Sequence, residues 1–405
     1  MIHAKRKAFT QLISILLILG LTGCAAQAPA DPAAQPSSSA ESTIEVVDEQ
    51  PPSAETTLEQ VVKALRPVDE EINKELNKDE DVYPTRAQYI ELVEAAAALG
   101  VPATSRSAGF GMDMRNYRQV VEFCNAVQAG KDAQTAFYDV YPGGVYEYAF
   151  QAKGGELTLT TQSWTSGATA PDEATALVLD DLKLWENGWM VWHPREEGDA
   201  ASSYMGLRVQ PLGEEAYGLL QKYVWYLQGK YTGVLSHNWD EQHLSRLNWD
   251  FVFESLLTQE GVTLGGFGAQ GRQVDSIAAF DIPAAEVEGR LTRLFPITAE
   301  QLHRLPAYNA DPQTYGFWGF RGGGYSPKAE MTEKVENPDG SFTLRVDLTA
   351  PEFNEEHVST SYLTIMPEQD GGYRYIKNVT DAKDDNAERW ESVGGSAGIL
   401  PEDAQ

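Results

Sequence analysis

The chain has 405 residues, of which 31 are basic and 60 acidic, giving a net charge of −29 at pH 7. A surface this negative repels phosphate backbones and anionic headgroups, which sets aside nucleic acid and direct headgroup binding. Two cysteines in so long a chain point away from a disulfide framework and toward a fold held by its hydrophobic core.

Lys5, Arg6 and Lys7 precede an uncharged stretch from Ala8 to Gly20. A basic start, ~7–15 apolar residues and small residues at the cut describe an export signal. The stretch is shorter than the about 20 residues that span a bilayer as a helix. Leu21-Thr22-Gly23-Cys24 then resembles the lipobox of bacterial lipoproteins. That resemblance implies a diacylglyceryl group on the Cys24 thiol and cleavage just before it, so residues 1–23 read as a lipoprotein signal peptide. The competing reading is an ordinary signal peptide, with Cys24 an incidental residue or a half-cystine. Position, spacing and upstream charge all agree on the lipobox. Removing residues 1–23, which hold three basic and no acidic residues, would take the net charge from −29 to −32. Residues 24–55, rich in Ala, Pro, Ser, Gln and acid, lack the apolar surface to offset their ordering entropy and read as a disordered tether. Its root-mean-square reach is roughly 30 Å. The expected partner is the membrane, reached through the lipid anchor, with the protein on its outer face.

Residues 56–104 read as a helical segment. Thr57-Leu-Glu-Gln60 and Thr85-Arg-Ala-Gln88 both fit the capping-box spacing, and Pro67 and Gly100 punctuate helix ends. Residues 105–205 form a first α+β module. It opens with a helix over 115–129, where Tyr117, Val120, Val121, Cys124 and Val127 recur at helical spacing and Gly130 supplies the stop. With Cys24 lipidated, Cys124 stands alone and reads as a buried, inert thiol. The β-prone runs AFYDVY, VYEYAF, ELTLTTQSW, ATALVLDDLKLW and WMVWH follow, separated by turn signals. The Asn187-Gly188 turn predicts a type I′ hairpin that pairs Glu186 with Trp189, Leu184 with Val191 and Leu182 with His193. Leu182, Leu184, Trp189 and Val191 then share the core face. Trp185, Met190 and Trp192 share the other, which a helix or neighbouring segment covers in part. Residues 206–280 read as a helical bridge and 281–392 as a second α+β module, with turns at Asp339-Gly340 and Asp370-Gly371-Gly372. Residues 393–405 read as a disordered tail. The expected fold is α+β, with tandem modules of helices packed on antiparallel β-meanders and a helical bridge between them.

Several longer phrases run through these modules: MDMRNYRQVVEFCNAV (112–127), LRVQPLGEEAYGLLQKY (207–223), WDEQHLSRLNWDFVFESL (239–256) and IPAAEVEGRLTRLFPITAEQL (282–302). With ENPDGSFTLRV (336–346) and YRYIKNVTDAKDDNAERW (373–390), they resemble a family of uncharacterised lipoproteins found mainly in Clostridia-type bacteria. The resemblance covers most of residues 85–392. The chain departs from the family pattern around 165–185, where a longer, more polar insertion is expected. What the resemblance implies is lipobox anchoring and the tandem architecture. The family has no established activity, so it brings no catalytic residue.

Four motifs invite chemistry. Gly394-Gly-Ser396-Ala-Gly398 matches the serine-hydrolase string, but it lies in the last dozen residues with no histidine downstream. Gly266-Phe-Gly268-Ala-Gln-Gly271 matches a dinucleotide fingerprint without the strand before it or the alternating units after it, and reads as a loop. His237, Asp240, Glu241 and His243 place four possible metal ligands within seven residues. In a helix His237 would point away from His243, so a helix start capped by Asp240 is the plainer reading. Asp381, Asp384, Asp385 and Asn386 offer oxygen ligands without the glycine and terminal glutamate of an EF-hand loop. Trp185, Trp189 and Trp192 could stack sugars, but their strand alternation fits packing. No catalytic, metal or cofactor residue is therefore assigned, and no cofactor is expected; Cys24 is the one site residue. The reading is a lipid-anchored extracytoplasmic protein with a non-enzymatic binding or structural role. The alternative is an exported hydrolase acting on cell-wall or glycan material. It would need Asp240, Glu241 and His243 to meet a second acidic group in a cleft.

Overall fold

A computed structural model describes residues 56–76, 84–105, 113–195, 203–229, 232–260, 262, 272–274, 277–318, 327–381 and 398–401. Two capping boxes start the first helices. Gln88 Oε1 accepts from the Thr85 N–H at 2.8 Å while Thr85 Oγ1 accepts from the Gln88 N–H at 3.4 Å, and Thr57 and Gln60 repeat the pair. Each satisfies backbone donors that a helix start leaves orphaned. The helices are α1 (Leu58–Leu76) and α2 (Arg86–Ala97). Pro67 lies inside α1 rather than at its end. Proline there strips a donor from the Lys63 carbonyl, and both residues sit on the exposed side, where water replaces the lost bond.

The helices flank a seven-stranded sheet. Its strands run in sequence order: β1 (Ala103–Thr104), β2 (Ala133–Tyr141), β3 (Gly144–Lys153), β4 (Glu156–Thr165), β5 (Thr175–Leu184), β6 (Trp189–Pro194) and β7 (Met205–Arg208). Only β1 and β2 pair in parallel. Strand alternation sends neighbouring side chains to opposite faces. Tyr138, Val140, Val145 and Trp164 meet α1 and α2, where Val61, Leu65, Leu92 and Ala96 are fully buried. Phe137, Phe150, Leu182, Met190 and Trp192 meet α3 (Arg118–Gln128) through its Val120, Phe123 and Cys124. That helix ends at Gly130 in a Schellman motif, with Lys131 N–H on the Ala126 carbonyl at 2.9 Å and Gly130 N–H on Val127 at 2.9 Å.

The hairpin at Asn187-Gly188 corrects the expected register. Leu184 pairs with Met190, Lys183 with Val191 and Leu182 with Trp192, one residue away from the type I′ expectation. A one-residue slip exchanges the faces. Leu182, Leu184, Met190 and Trp192 therefore point into the core under α3, whereas Trp189 points to the opposite side. The turn is a three-residue loop closed by Gly188 N–H on the Trp185 carbonyl (3.0 Å) and Trp185 N–H on the Trp189 carbonyl (2.8 Å). It combines a type I turn with a left-handed glycine, at φ +90°. A type I′ turn would need Asn187 at positive φ as well. Asn187 instead keeps ordinary φ and its Oδ1 reaches the Trp189 N–H at 3.4 Å. The same device recurs twice, with Asp339 Oδ1 on the Ser341 N–H at 3.0 Å and Asp370 Oδ1 on the Gly372 N–H at 2.9 Å.

The stretch between the meanders holds α4 (Glu214–Tyr223), a 3-10 turn at Trp225–Leu227 and α5 (Trp249–Glu260). It also supplies β8 (Arg272–Val274) and β9 (Ile277–Pro283), which no β-alternation announced. With β10 (Tyr308–Asn309) and β11 (Thr314–Trp318) they make a four-stranded sheet in the order β10-β11-β9-β8. Helices α6 (Ala284–Leu294) and α7 (Ala299–Leu302) follow β9. The last meander is β12 (Lys328–Glu336), β13 (Phe342–Ala350), β14 (Glu355–Pro367) and β15 (Tyr373–Thr380), antiparallel throughout. One core joins these elements around Trp239, Trp249, Phe253, Phe295, Leu344 and Tyr375. Part of the expected tail is docked there, with Ile399 bridged to Asn248 and Leu400 buried. Helices and mainly antiparallel sheets make the fold α+β.

The first and last meanders meet at β7 and β12. Glu330 is buried, accepts from Trp189 Nε1 at 2.5 Å and forms an ion pair with Arg208. Beside it, Gly206 lies so close to Pro351 that a Cβ at position 206 would overlap the proline ring. Glu356 Oε1 accepts from the Glu186 N–H at 2.8 Å and ties the β5–β6 hairpin to β14.

Candidate functional site

The residues singled out in the sequence do not converge. Cys24, the 266–271 glycine loop and Ser396 lie outside the described residues, as do Asp384, Asp385 and Asn386. Asp381 is tied to the last sheet, its Oδ1 accepting from the Thr360 N–H at 2.6 Å. Cys124 is fully buried and unbridged, and burial pushes its thiol up to about 12, which keeps it protonated and inert.

Asp240 and His243 do touch, at 2.7 Å between Oδ1 and Nδ1, and the same oxygen caps the Gln242 N–H at 2.9 Å. The segment is a capped turn leading into a 3-10 turn at Leu244–Arg246, not an α-helix. His237 is buried, with its Nδ1 3.0 Å from Ser236 Oγ. Among the described residues no three His, Cys, Asp or Glu side chains come together as a metal site would require. An open cleft of about 550 Å³ borders this turn, lined by Glu241, Gln242, Pro296, Thr298 and Gln301. Its lining holds one carboxylate, and Thr298 and Gln301 are engaged with each other in the capping box of α7.

A further polar group was not anticipated. Thr360 Oγ1 lies 2.7 Å from Asp347 Oδ1 and 3.0 Å from His357 Nε2. The arrangement resembles a nucleophile between a base and an acid, but a hydroxyl has one proton. A carboxylate can only accept it, so His357 donates to Thr360 and is turned the wrong way for a general base.

The arrangement with binding chemistry is a cavity of about 320 Å³ between α2, α4 and α5. Helix α4 and its 3-10 extension bury Tyr217, Leu220, Val224 and Leu227 on one stripe. The adjoining stripe holds Gly218, Gln221, Lys222 and Trp225, at i, i+3, i+4 and i+7, and all four line the cavity. Tyr226, Arg86 from the first turn of α2 and Gln259 from the last turn of α5 complete the wall. Gly218 makes the floor, since a Cβ there would meet nothing within 4 Å. The earlier candidate tryptophans take no part. Trp192 is core and Trp189 is committed to Glu330.

The wall is electropositive in an acidic chain. The Arg86 guanidinium sits 4.9 Å from the Tyr217 ring centroid, and its Nε is buried without a hydrogen-bond partner among the described residues. Lys222 Nζ lies 5.0 Å from the ring of Tyr223 and 5.9 Å from that of Tyr373. Gln221 Nε2 donates to Tyr217 Oη at 2.8 Å, and Gln259 Nε2 donates to the Lys222 carbonyl at 3.3 Å. Burial raises the Tyr226 phenol, against a smaller lowering by Arg86. Behind the wall, burial raises the Asp113 carboxyl, opposed by the Leu212 N–H and by Arg208, Arg115 and Arg86. The i, i+3, i+4, i+7 stripe of polar and aromatic residues beside the apolar one was the available sequence signal. Arg86 and Gln259 had none, since they arrive from distant parts of the chain.

No curated protein and no solved structure matches the chain. A family profile described as a family of unknown function, DUF6070, matches residues 53–392. Those residues take in every α-helix and β-strand described above, and the chain belongs to that family.

Proposed function

We propose that this is a lipid-anchored, extracytoplasmic, non-enzymatic binding protein that holds a small ligand in the cavity between α2, α4 and α5. The cavity lining carries the binding half. Two cations, two aromatic rings and two amides surround an open floor, a set suited to gripping a ligand rather than cutting it. The anchoring half rests on the sequence of residues 1–55: a basic start, an apolar run, Leu21-Thr22-Gly23-Cys24 and an acidic, Pro- and Ser-rich tether. The membrane is then the partner through Cys24, and the charge of −29 disfavours nucleic acid.

The two halves are tested separately. Cys24→Ala should move the protein from the membrane to the soluble fraction; equally firm membrane attachment refutes the anchor. For binding, the protein is screened by thermal shift against neutral and acidic glycans, peptides and calcium. A true ligand at 100 times its Kd stabilises by about 2.7 kcal/mol. Gly218→Leu fills the cavity without a clash at its Cβ and should abolish that shift. No shift with any class, or a shift that survives Gly218→Leu, refutes the assignment.

A further inference from the structure

We infer that the ligand of this cavity is a small acidic sugar, one or two pyranose rings bearing a carboxylate; the inference rests on the binding reading above. Charge comes first. Both charged residues in the lining are cations, Arg86 and Lys222, and among the described residues neither forms an ion pair. Arg86 and Lys222 bring two positive charges to the lining, and a bound carboxylate would neutralise one of them. The nearby carboxyl of Asp113 is already held by the Leu212 N–H at 3.2 Å and shares the fields of Arg115 and Arg208. The lining therefore keeps a positive excess for an anion to neutralise.

Hydroxyls come second. Gln259 spends an amide N–H on the Lys222 carbonyl, at 3.3 Å. Its Oε1 can only accept, so a ligand that pairs with it must bring donors of its own. Ring contact comes third. Trp225 and Tyr226 are half-buried at the wall, and aromatic surface suits the C–H face of a sugar ring. A bare inorganic anion would leave both rings unused, and a hydrocarbon acid would leave the amide unpaired. The volume of about 320 Å³ sits at the lower end of small-ligand sites, which fits one or two rings and not the side of a folded partner.

The test is calorimetric titration of the full chain, kept in detergent, with digalacturonate and with galactobiose as its neutral counterpart. Digalacturonate should bind, galactobiose should bind at least about tenfold more weakly, and raising the salt should weaken only the acid. Lys222→Gln alters an exposed side chain and should weaken digalacturonate about tenfold, the loss of one charge-assisted hydrogen bond, without changing galactobiose. Trp225→Phe keeps the packing of a half-buried ring and should weaken both sugars. Equal binding of the two sugars, unmoved by Lys222→Gln, overturns the acidic ligand while leaving a binding cavity in place. Digalacturonate binding that neither substitution changes puts the sugar elsewhere and overturns the inference. Binding of neither sugar overturns it too, and the broader thermal-shift screen then decides whether the cavity binds anything.

Discussion

Glu330 gives the sharpest prediction about how the molecule holds together. Its side chain is 6% exposed and that of its partner Arg208 is 17% exposed, so both charges are largely out of water where β12 meets β7. Burial raises the Glu330 carboxyl, and Arg208 with the Trp189 N–H opposes that rise. Removing one member of such a pair costs about 3–5 kcal/mol, because the survivor remains buried without compensation. Arg208→Met should therefore cost about 3–5 kcal/mol. Its penalty should also grow with pH. With Arg208 gone, Glu330 in the folded chain holds its proton above the ordinary value of 4.5, so the folded state binds more protons than the unfolded one. Stability then falls as pH rises through that window. The double variant Arg208→Met/Glu330→Leu removes both charges and leaves only the Trp189 N–H unsatisfied, a cost of about 1–3 kcal/mol. It should thus be more stable than Arg208→Met alone, and should lose the part of the pH dependence that Glu330 contributes. Urea denaturation followed by tryptophan fluorescence at pH 5.5 and 8 measures all three. If Arg208→Met lies within about 1 kcal/mol of the parent at pH 8, or the double variant is no more stable than the single, the reasoning fails.

Other positions yield briefer expectations. Gly206→Ala drives a Cβ into the Pro351 ring and should cost about 1–3 kcal/mol in urea, whereas Gly289→Ala on the exposed side of α6 meets nothing within 4 Å and should gain about 0.5–1 kcal/mol. Burial alone raises the Glu254 carboxyl, so the folded chain prefers its protonated form and stability declines as pH rises past 4.5. Glu254→Gln should flatten that decline, stabilising at pH 8 and changing nothing at pH 3. Cys124, with its thiol held near 12, should resist iodoacetamide in the native protein and react fully in urea; native labelling at the unfolded rate would contradict its burial.

What could be read from the sequence was what short-range chemistry decides. Thr57/Gln60 and Thr85/Gln88 start helices because their hydrogen bonds close within four residues. Gly130 stops α3 for a similarly local reason. The strands of the first meander follow from alternation and glycine turns. Lys153 and Glu156 pair across Gly154 and Gly155, both at positive φ, as a two-residue loop demands. The same rule failed at Asn187-Gly188 because asparagine had a competing local bond. An Asn or Asp side chain that captures the N–H two residues on stabilises a type I turn and leaves the glycine alone in the left-handed region. The recurrence of that geometry at Asp339-Gly340 and Asp370-Gly371 marks the preceding side chain, not the dipeptide itself, as what sets the register.

The cavity was half legible for the same reason. Along α4 the stripe Gly218, Gln221, Lys222, Trp225 is fixed by the helical repeat, and its polarity next to a buried apolar stripe distinguishes it from core. A stripe alone is only the face of a helix. It becomes a cavity when α2 brings Arg86 and α5 brings Gln259 against it, and those meetings depend on long-range packing that no local pattern encodes. The chemistry follows the same division. Lys222 on its own would be a solvated cation of no particular interest in a chain with 31 of them. Sharing a cavity lining with Arg86, Trp225, Tyr226 and the Gln259 amide, it becomes part of the site for which we propose an anionic, hydroxylated, ring-shaped ligand.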